Sequence, residues 1–375
     1  MRVLVVASTP EWTAGARLLT QLAAGLAARG DVVAMATALG SATERAVEQG
    51  WPRLSLRSVS GAGGLRQAWS LRGIVTALRP DALLVGREGD AVLAAFAIRT
   101  RGGIVHRVAA DEYVARPGTA AVRSPAAAGA AESAPLPWRA CLALARTPIT
   151  RWGDTRLALG WPSPPVDDTA AHATVVHRLP LTAPAVVLVP GRSHDEGTAA
   201  ALRALAHLRT RRPDLRVLLV GATAALQGTR LHAASLDLAA ALEIVPVEAL
   251  FHHELGYACA AWITAPGDHG ALATLAAMQQ RLPTVVAVDA PFAELVTHGA
   301  TGYHVSADNT VVVVAELARL LADVDAQRAV GGAAAARAAR EFGWEAFVDE
   351  AALLLARAAG VSGARITRRS ALTPA

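Results

Sequence analysis

The stretch that decides the fold is "CAAWITAPGDHGALATLAAMQQRLPTVVAV", residues 259–288. An apolar run leads into a Pro-Gly-Asp-His-Gly loop, an alanine-rich helical run follows, and a second apolar run comes after Pro283. This order predicts strand, loop, helix and strand, the repeating unit of a parallel sheet. Because α/β proteins bind ligands outside the carboxyl ends of parallel strands, the loop is a candidate ligand site.

The same alternation of apolar runs and helical patterns extends over most of the chain. In the first half, strands are predicted at 2–8, 31–37, 81–86 and 104–110, and helices at 14–30, 65–80 and 90–103. In the second half, strands are predicted at 185–191, 215–221, 242–247, 261–266, 284–289 and 302–307. Helices are predicted at 196–213, 252–260, 267–280 and 344–360, more than one within 311–343, and a looser helical stretch between 221 and 242. Two doubly wound domains with a cleft between them follow from this pattern.

Breaks in the alternation give the domain bounds. Residues 115–137 are rich in Ala, Pro, Gly and Ser without apolar periodicity, which predicts a mobile loop inside the first domain. A proline-containing connector lies at 180–184. We therefore predict a first domain at 1–180, a second at 181–345, a helix at 346–360 that returns to the first domain, and a polar tail at 361–375.

Charge and composition exclude several classes of function. All 36 basic residues are arginine, so a phosphate site here must use Arg, His or backbone N–H groups. Residues 1–180 hold 20 Arg and 13 acidic residues, a net of +7, whereas residues 181–375 hold 16 and 18, a net of −2. The basic half could face an anionic membrane surface or be merely solvated. Without a basic stripe interleaved with aromatic residues, nucleic acid is not an expected partner.

Cysteine content and hydropathy set further limits. Two cysteines, Cys141 and Cys259, exclude a disulfide framework and a cysteine-based zinc site. The first apolar run is too short for a signal peptide, and no uninterrupted apolar run reaches the length of a membrane span. We therefore expect a cytoplasmic protein, with at most peripheral contact to the inner face of the membrane, and no metal or cofactor.

Three longer stretches carry a family resemblance. They are "TAGARLLTQLAAGLAARGDVV" (13–33), "VVLVPGRSHDEGTAAALRALAHLRTRRPDLRVLLVGA" (186–222) and "HGATGYHVSADNTVVVVAELARLLADVDAQRAVGGAAAARAAREFGWEAF" (298–347). In order and spacing they resemble the retaining GT-B glycosyltransferases called glycosyl transferases group 1, of the family-four type. The resemblance implies a GT-B fold of two Rossmann-like domains facing a cleft. It also implies transfer of a sugar from a nucleotide-sugar donor to a polysaccharide, glycolipid or small-molecule acceptor, without a metal.

The resemblance also implies a set of site residues. Asp268 occupies the position of the first glutamate in the family's motif E-G-F-G-x4-E-A-M-A and is the candidate catalytic residue. The loop around it could instead be a plain turn with Asp268 capping the helix. The residues that the resemblance assigns to substrate binding are Gly15, His106, Arg192, Asp268, His269, Gly270, Ala271 and Glu294.

Two positions depart from the family's pattern. Ala276 stands where the family has a second glutamate that holds the ribose hydroxyls, and Glu196 stands about where it has a lysine aimed at the diphosphate. Both departures favour an alternative, a catalytically inactive GT-B protein that serves as a binding or partner subunit. A sugar-nucleotide epimerase would need more carboxylates and histidines. On the sequence alone, Ala276→Glu is expected to tighten nucleotide binding by about 1 kcal/mol.

Overall fold

A computed structural model describes residues 1–61, 64–97, 103–107, 149–152, 183–191, 195–221, 226–251, 255–306 and 310–360. These residues divide into two compact units. The first unit contains described residues up to 107 together with 149–152 and 346–360, and the second contains 183–345. Residues 180–182 of the connector, the loop at 115–137 and the tail at 361–375 lie outside the described residues, so those bounds stay predictions.

The first unit holds a parallel sheet of six described strands. These are β1 (Arg2–Ala7), β2 (Val32–Ala38), β3 (Ser55–Val59), β4 (Ala82–Val85), β5 (Gly103–Arg107) and β6 (Ile149–Trp152). Their order across the sheet is β3-β2-β1-β4-β5-β6. The described helices that follow the strands are α1 (Ala14–Ala28), α2 (Ala42–Gly50), α3 (Gly64–Leu78) and α4 (Glu88–Ala97).

The second unit holds a second parallel sheet with the same topology. Its strands are β7 (Ala185–Val189), β8 (Arg216–Val220), β9 (Leu242–Val245), β10 (Ala260–Ile263), β11 (Thr284–Ala287) and β12 (Gly302–Val305), in the order β12-β11-β10-β7-β8-β9. Its described helices are α5 (Glu196–Arg211), α6 (Gln227–Ser235), α7 (Val247–Phe251), α8 (Gly267–Gln279), α9 (Thr310–Ala322) and α10 (Val324–Glu341). A one-turn 3₁₀ helix spans Ala293–Leu295.

Both strand orders are those of a Rossmann-like doubly wound sheet, which confirms the predicted fold class for each unit. In such a sheet the order reverses at one point, between β1 and β4 in the first unit and between β7 and β10 in the second. The loops that leave these adjacent strands at their carboxyl ends diverge to opposite faces of the sheet. They leave a crevice between them, where ligands of this fold bind.

Burial explains why the central strands are easy to find in the sequence. All five residues of β7 and all four of β4 are buried, because helices cover both faces of a parallel sheet. Helix α5 contributes one apolar stripe to the core of the second unit, made of Ala201, Leu202, Leu205 and Leu208. Its ends are set by Asp195, whose carboxylate accepts from Gly197 N–H at 3.4 Å, and by two arginines in the last turn.

The sequence analysis missed two strands and the short helices α2 and α7, and it misassigned one segment. β3 and β6 lie at the two edges of the first sheet, where strands carry polar residues and lack a continuous apolar run. The helix predicted at 252–260 is wrong for its described part, since residues 255–259 form turns and bends. Their backbone N–H groups instead form hydrogen bonds with residues distant in the sequence. Leu255 N–H donates to Gln280 Oε1 at 2.8 Å, and Cys259 N–H donates to Ala185 O at 2.8 Å.

The last described helix is α11 (Trp344–Ala358). Its residues from Ala346 onward group with the first unit, where Asp349 forms an ion pair with Arg29 at the end of α1. Phe347 and Leu355 are buried. Across the part of the chain that the structure describes, no helix has the length and hydropathy needed to span a membrane.

Candidate functional site

The crevice of the second sheet is lined by a small hydrogen-bonded network. Thr198 Oγ1 and Thr264 Oγ1 lie 2.8 Å apart, and Gly191 N–H donates to them at 2.9 and 3.3 Å. Thr264 N–H donates to Val189 O at 2.9 Å, which holds the ends of β7 and β10 together. Neither threonine was predicted as a site residue. The sequence signal that could have found them is their position: Thr264 lies near the carboxyl end of a predicted strand, and Thr198 lies in the first turn of a predicted helix.

The Asp-His loop lies where the sequence predicts it, at the carboxyl end of β10. Helix α8 begins at Gly267, whose φ of 57° is left-handed and therefore suits glycine. The residue before it is Pro266, which has no side chain that can accept a hydrogen bond from the first-turn amides. Asp268 and His269 are half-buried and lie in that first turn. Asp268 is therefore not the N-cap, and the alternative that Asp268 only caps the helix is wrong.

Gly270 and Ala271 are buried beneath this turn rather than exposed on it. Gly270 N–H donates to Pro266 O at 3.1 Å. A Cβ atom added at Gly270 would overlap the backbone carbonyl oxygen of Ala265 and the ring of Phe292. Glycine is required here so that α8 can pack closely on Phe292. The side chain of Ala271 likewise faces the interior, so neither residue offers a side chain to a ligand.

Glu294 lies on the neighbouring loop, which leaves the carboxyl end of β11. Glu294 is exposed in the 3₁₀ helix, and its backbone carbonyl oxygen accepts a hydrogen bond from Arg337 Nη2 at 2.9 Å. Phe292 lies two residues earlier and packs against Gly270. The structure therefore brings the Glu294 loop and the Asp268 loop to the same edge of one sheet, as the predicted site requires.

Ala276 is 1% exposed and belongs to the middle of α8. The next turn of the helix packs against α10, where Met278 contacts Ala334 and Ala338 in a buried cluster. Burial of Ala276 removes the reason to expect that glutamate there would reach a ribose, so the expected gain in affinity from Ala276→Glu is withdrawn.

The phosphate-binding pair inferred for the loop after β7 is described only in part. Arg192 lies outside the described residues, so its predicted contact with phosphate is untested. Glu196 lies in the first turn of α5, exposed to solvent, and pairs with Arg203 through an Oε1–Nη2 distance of 2.5 Å. An exposed carboxylate that already pairs with arginine adds little to the field at the crevice.

The two first-unit candidates occupy different positions in their sheet. Gly15 lies in the first turn of α1, whose N-cap Thr13 accepts from Ala16 N–H at 3.2 Å, and so belongs to the loop after β1. His106 lies within β5, in register with Val85 of β4, and not in the loop after the strand. The resemblance places the family's histidine after the strand, so His106 is a poor match by position.

Comparison with known proteins identifies the family that the second unit resembles. Residues 174–337 match the family model "Glycosyl transferases group 1". The matched segment contains both loops of the second-unit crevice, including Asp268, and the neighbouring loop that carries Glu294. No curated protein matches the sequence as a relative.

Solved structures of glycosyltransferases share the fold at low sequence identity. The structure superposes with a TM-score of 0.69 on sucrose-phosphate synthase from Thermosynechococcus elongatus, at 15% identity over 96% of this chain and 100% of that one. The score is also 0.69 for HepE of Anabaena in complex with UDP-glucose, at 15% identity over 95% and 100%. A glycosyltransferase from Rickettsia africae gives 0.67, at 12% identity over 95% and 98%. These likenesses confirm the GT-B fold class, two Rossmann-like domains, expected from the sequence.

A buried carboxyl group that the sequence analysis did not single out lies at the crevice of the first sheet. Asp90, in the first turn of α4, is 2% exposed. Its Oδ2 accepts from Ser8 N–H at 3.3 Å, and its Oδ1 accepts from the Ser8 hydroxyl. Burial raises the pKa of Asp90 above 3.8, and the Ser8 hydrogen bonds and the Arg87 charge oppose that rise only in part. The carboxyl group ties the loop after β1 to the loop after β4.

The raised pKa of Asp90 predicts a pH-dependent stability. The folded state binds the Asp90 proton more tightly than the unfolded state, so this contribution is present below pH 3.8 and is lost as the pH rises through the folded-state pKa. Asp90→Asn keeps a group that can bond to Ser8 but never ionises. We expect thermal unfolding at a series of pH values to favour the asparagine variant increasingly as the pH rises above about 4. Parallel curves for the two proteins would contradict this.

Proposed function

We propose that the protein is a glycosyltransferase that moves a sugar from a nucleotide-sugar donor to a polysaccharide, glycolipid or small-molecule acceptor. The observation that carries the proposal is the family match over 174–337, which spans the Asp268 loop in the crevice between β7 and β10. HepE, a structure of the same fold, is described in complex with UDP-glucose, which makes UDP-sugars the first donors to test. The acceptor stays open.

Charge stabilisation at the crevice would supply the catalysis. The amino terminus of α8 points the positive end of its helix dipole toward the carboxyl edge of β10, where a diphosphate would gain from it without a metal ion. We propose that Arg192 adds a permanent positive charge and that Asp268 accepts a hydrogen bond from a donor hydroxyl. Transfer would then proceed by positioning donor and acceptor and by stabilising the departing diphosphate, with retention of configuration.

Substitution of Asp268 tests the proposed donor site. Asp268→Asn should weaken binding of the preferred nucleotide sugar by about tenfold, since a hydrogen bond to a charged acceptor contributes roughly 1.5–3 kcal/mol. The measurement is calorimetric titration with UDP-, GDP- and ADP-sugars, together with transfer rates once an acceptor is found. Bound ligand must also raise the unfolding temperature.

A matched control lies at the amino ends of the strands of the same sheet, on the side opposite to Asp268. Asp214 is exposed in the turn before β8, at the amino end of the strands, and is hydrogen-bonded to Arg212. Asp214→Asn makes the same chemical change and should leave nucleotide affinity unaltered. Equal affinity in wild type and both variants would remove Asp268 from the donor site.

The alternative is a non-catalytic GT-B protein, and Ala276 is the specific observation that favours it. No second carboxylate stands at the position that the resemblance assigns to ribose binding, where the structure has the buried Ala276. Nucleotide-sugar binding without turnover, across a panel of acceptors, would favour this alternative. Absence of any nucleotide binding would overturn the glycosyltransferase proposal itself.

A further inference from the structure

One segment of the first unit carries only positive charge. Residues 49–80 contain five arginines and no aspartate or glutamate, although acidic residues flank the segment at Glu48 and Asp81. The five arginines are Arg53, Arg57, Arg66, Arg72 and Arg79. The segment folds into the edge strand β3 and helix α3. Among the described residues of the first half, the excess of positive charge therefore lies on this part of the fold.

Helix α3 has one face in the core and one in solvent. Ala68 and Leu71 are buried, and Ile74, Val75 and Leu78 pack against the same core cluster. On the opposite face, Trp69 is 67% exposed. At helical spacing from it lie Arg66, Gly73 and Thr76, all exposed, and the half-buried Arg72. We call this set, with the exposed Arg79 that follows the helix, the α3 surface.

Trp69 and Arg72 form a pair on this surface. The guanidinium carbon of Arg72 lies 5.2 Å from the centre of the Trp69 ring, in cation–π geometry. None of Arg66, Arg72 and Arg79 forms an ion pair with a described acidic residue. The surface thus offers a large exposed aromatic ring bordered by arginines whose charges are not neutralised by the described part of the chain.

We propose that the α3 surface binds the surface of an anionic lipid membrane. Tryptophan inserts its ring at the level of the lipid headgroups, and arginines at the same depth are attracted to anionic phospholipids. Helices that lie in the membrane interface combine these features: a basic polar face with exposed aromatic residues. The proposal is independent of the donor site in the second unit.

The composition of the surface favours a membrane over a protein partner. Among the residues whose side chains the structure describes, the exposed neighbours of Trp69 are Gly73, Thr76 and arginines, and none of them extends the ring into a contiguous apolar patch of the kind found in the centre of a protein interface. The attraction comes instead from unneutralised charge of one sign, which an anionic bilayer complements over its whole area.

Vesicle co-sedimentation of the full chain tests the proposal. The probes are vesicles of phosphatidylcholine alone and of equal parts phosphatidylcholine and phosphatidylglycerol. The protein should bind the anionic vesicles and not the neutral ones, and added salt should weaken the binding. The triple variant Arg66→Gln, Arg72→Gln, Arg79→Gln should lose about a hundredfold in partitioning, roughly fivefold for each arginine. Trp69→Ala should lose about tenfold at low and at high salt alike.

Matched controls separate surface position from charge and hydropathy. Arg230, Arg281 and Arg328 are exposed arginines of the second unit, and changing all three to glutamine removes the same net charge. Leu231 is as exposed as Trp69, so Leu231→Ala controls for loss of an apolar side chain. These controls should bind anionic vesicles like the wild type.

Three results would overturn the proposal: no binding to anionic vesicles at low salt, equal losses in the control and test variants, or unaltered binding by both test variants. A self-associated form in sedimentation velocity that Trp69→Ala abolishes, with no vesicle binding, would assign the surface to a second copy of the chain. Thermal unfolding should be the same for all variants, since every substituted residue is exposed or half-buried at the surface.

Discussion

Replacing Ala276 with glutamate should destabilise the second unit by roughly 3–5 kcal/mol and should not improve nucleotide binding. Ala276 is 1% exposed, so the substitution places a carboxylate in a packed interior. Such a group must ionise without a partner, take up a proton, or force the helix to move, and each choice costs free energy. The measurements are chemical denaturation of the variant and calorimetric titration with nucleoside diphosphates.

An exposed alanine on a neighbouring helix provides the control for Ala276→Glu. Ala336 lies on the solvent face of α10, so Ala336→Glu adds the same side chain at a position where water solvates it. Its effect on stability should lie within about 0.5 kcal/mol. A stable Ala276→Glu variant with tighter nucleotide binding would contradict the burial argument. It would restore the assignment of this position to the ribose, as the family resemblance first implies.

Replacing Gly270 with alanine should destabilise the second unit by about 2–3 kcal/mol, near the upper end of the cost of overpacking. The added Cβ would overlap a backbone oxygen, that of Ala265, and the buried ring of Phe292. A backbone carbonyl at the start of α8 cannot rotate away as a side chain can, so the helix itself must shift. Because α8 carries Asp268 in its first turn, nucleotide binding should weaken together with stability.

The opposite result is expected at Gly332 in α10. Nothing lies within 4 Å of a Cβ added there, so Gly332→Ala should stabilise the helix by roughly 0.5–1 kcal/mol. Denaturation curves of the two variants therefore show whether close packing or intrinsic helix propensity decides the effect of replacing each glycine. If Gly270→Ala leaves stability unchanged but abolishes nucleotide binding, the glycine serves close approach of a ligand and not helix packing.

The position of the candidate site could be predicted from the sequence, but the role of each residue in it could not. Proline, glycine and aspartate between an apolar run and a helical run locate a loop at the carboxyl end of a strand, and the structure places Asp268 there. Whether Gly270 faces a ligand or a neighbouring ring depends on Phe292, which is 22 positions away in the sequence. The threonine pair at Thr198 and Thr264 is separated by 66 positions. No local pattern reports such contacts.

The sequence by itself determined the repeated strand–helix order and the central strands of both units. Strands covered on both faces must be apolar at every position, and this composition can be read without knowing their neighbours. The tertiary structure alone decided the edge strands β3 and β6, the burial of Ala276, the bond between Ser8 and Asp90, and which arginines share the α3 surface. Each of these depends on residues distant in the sequence, because solvent exposure and long-range hydrogen bonds are set by how helices and strands pack and not by local periodicity.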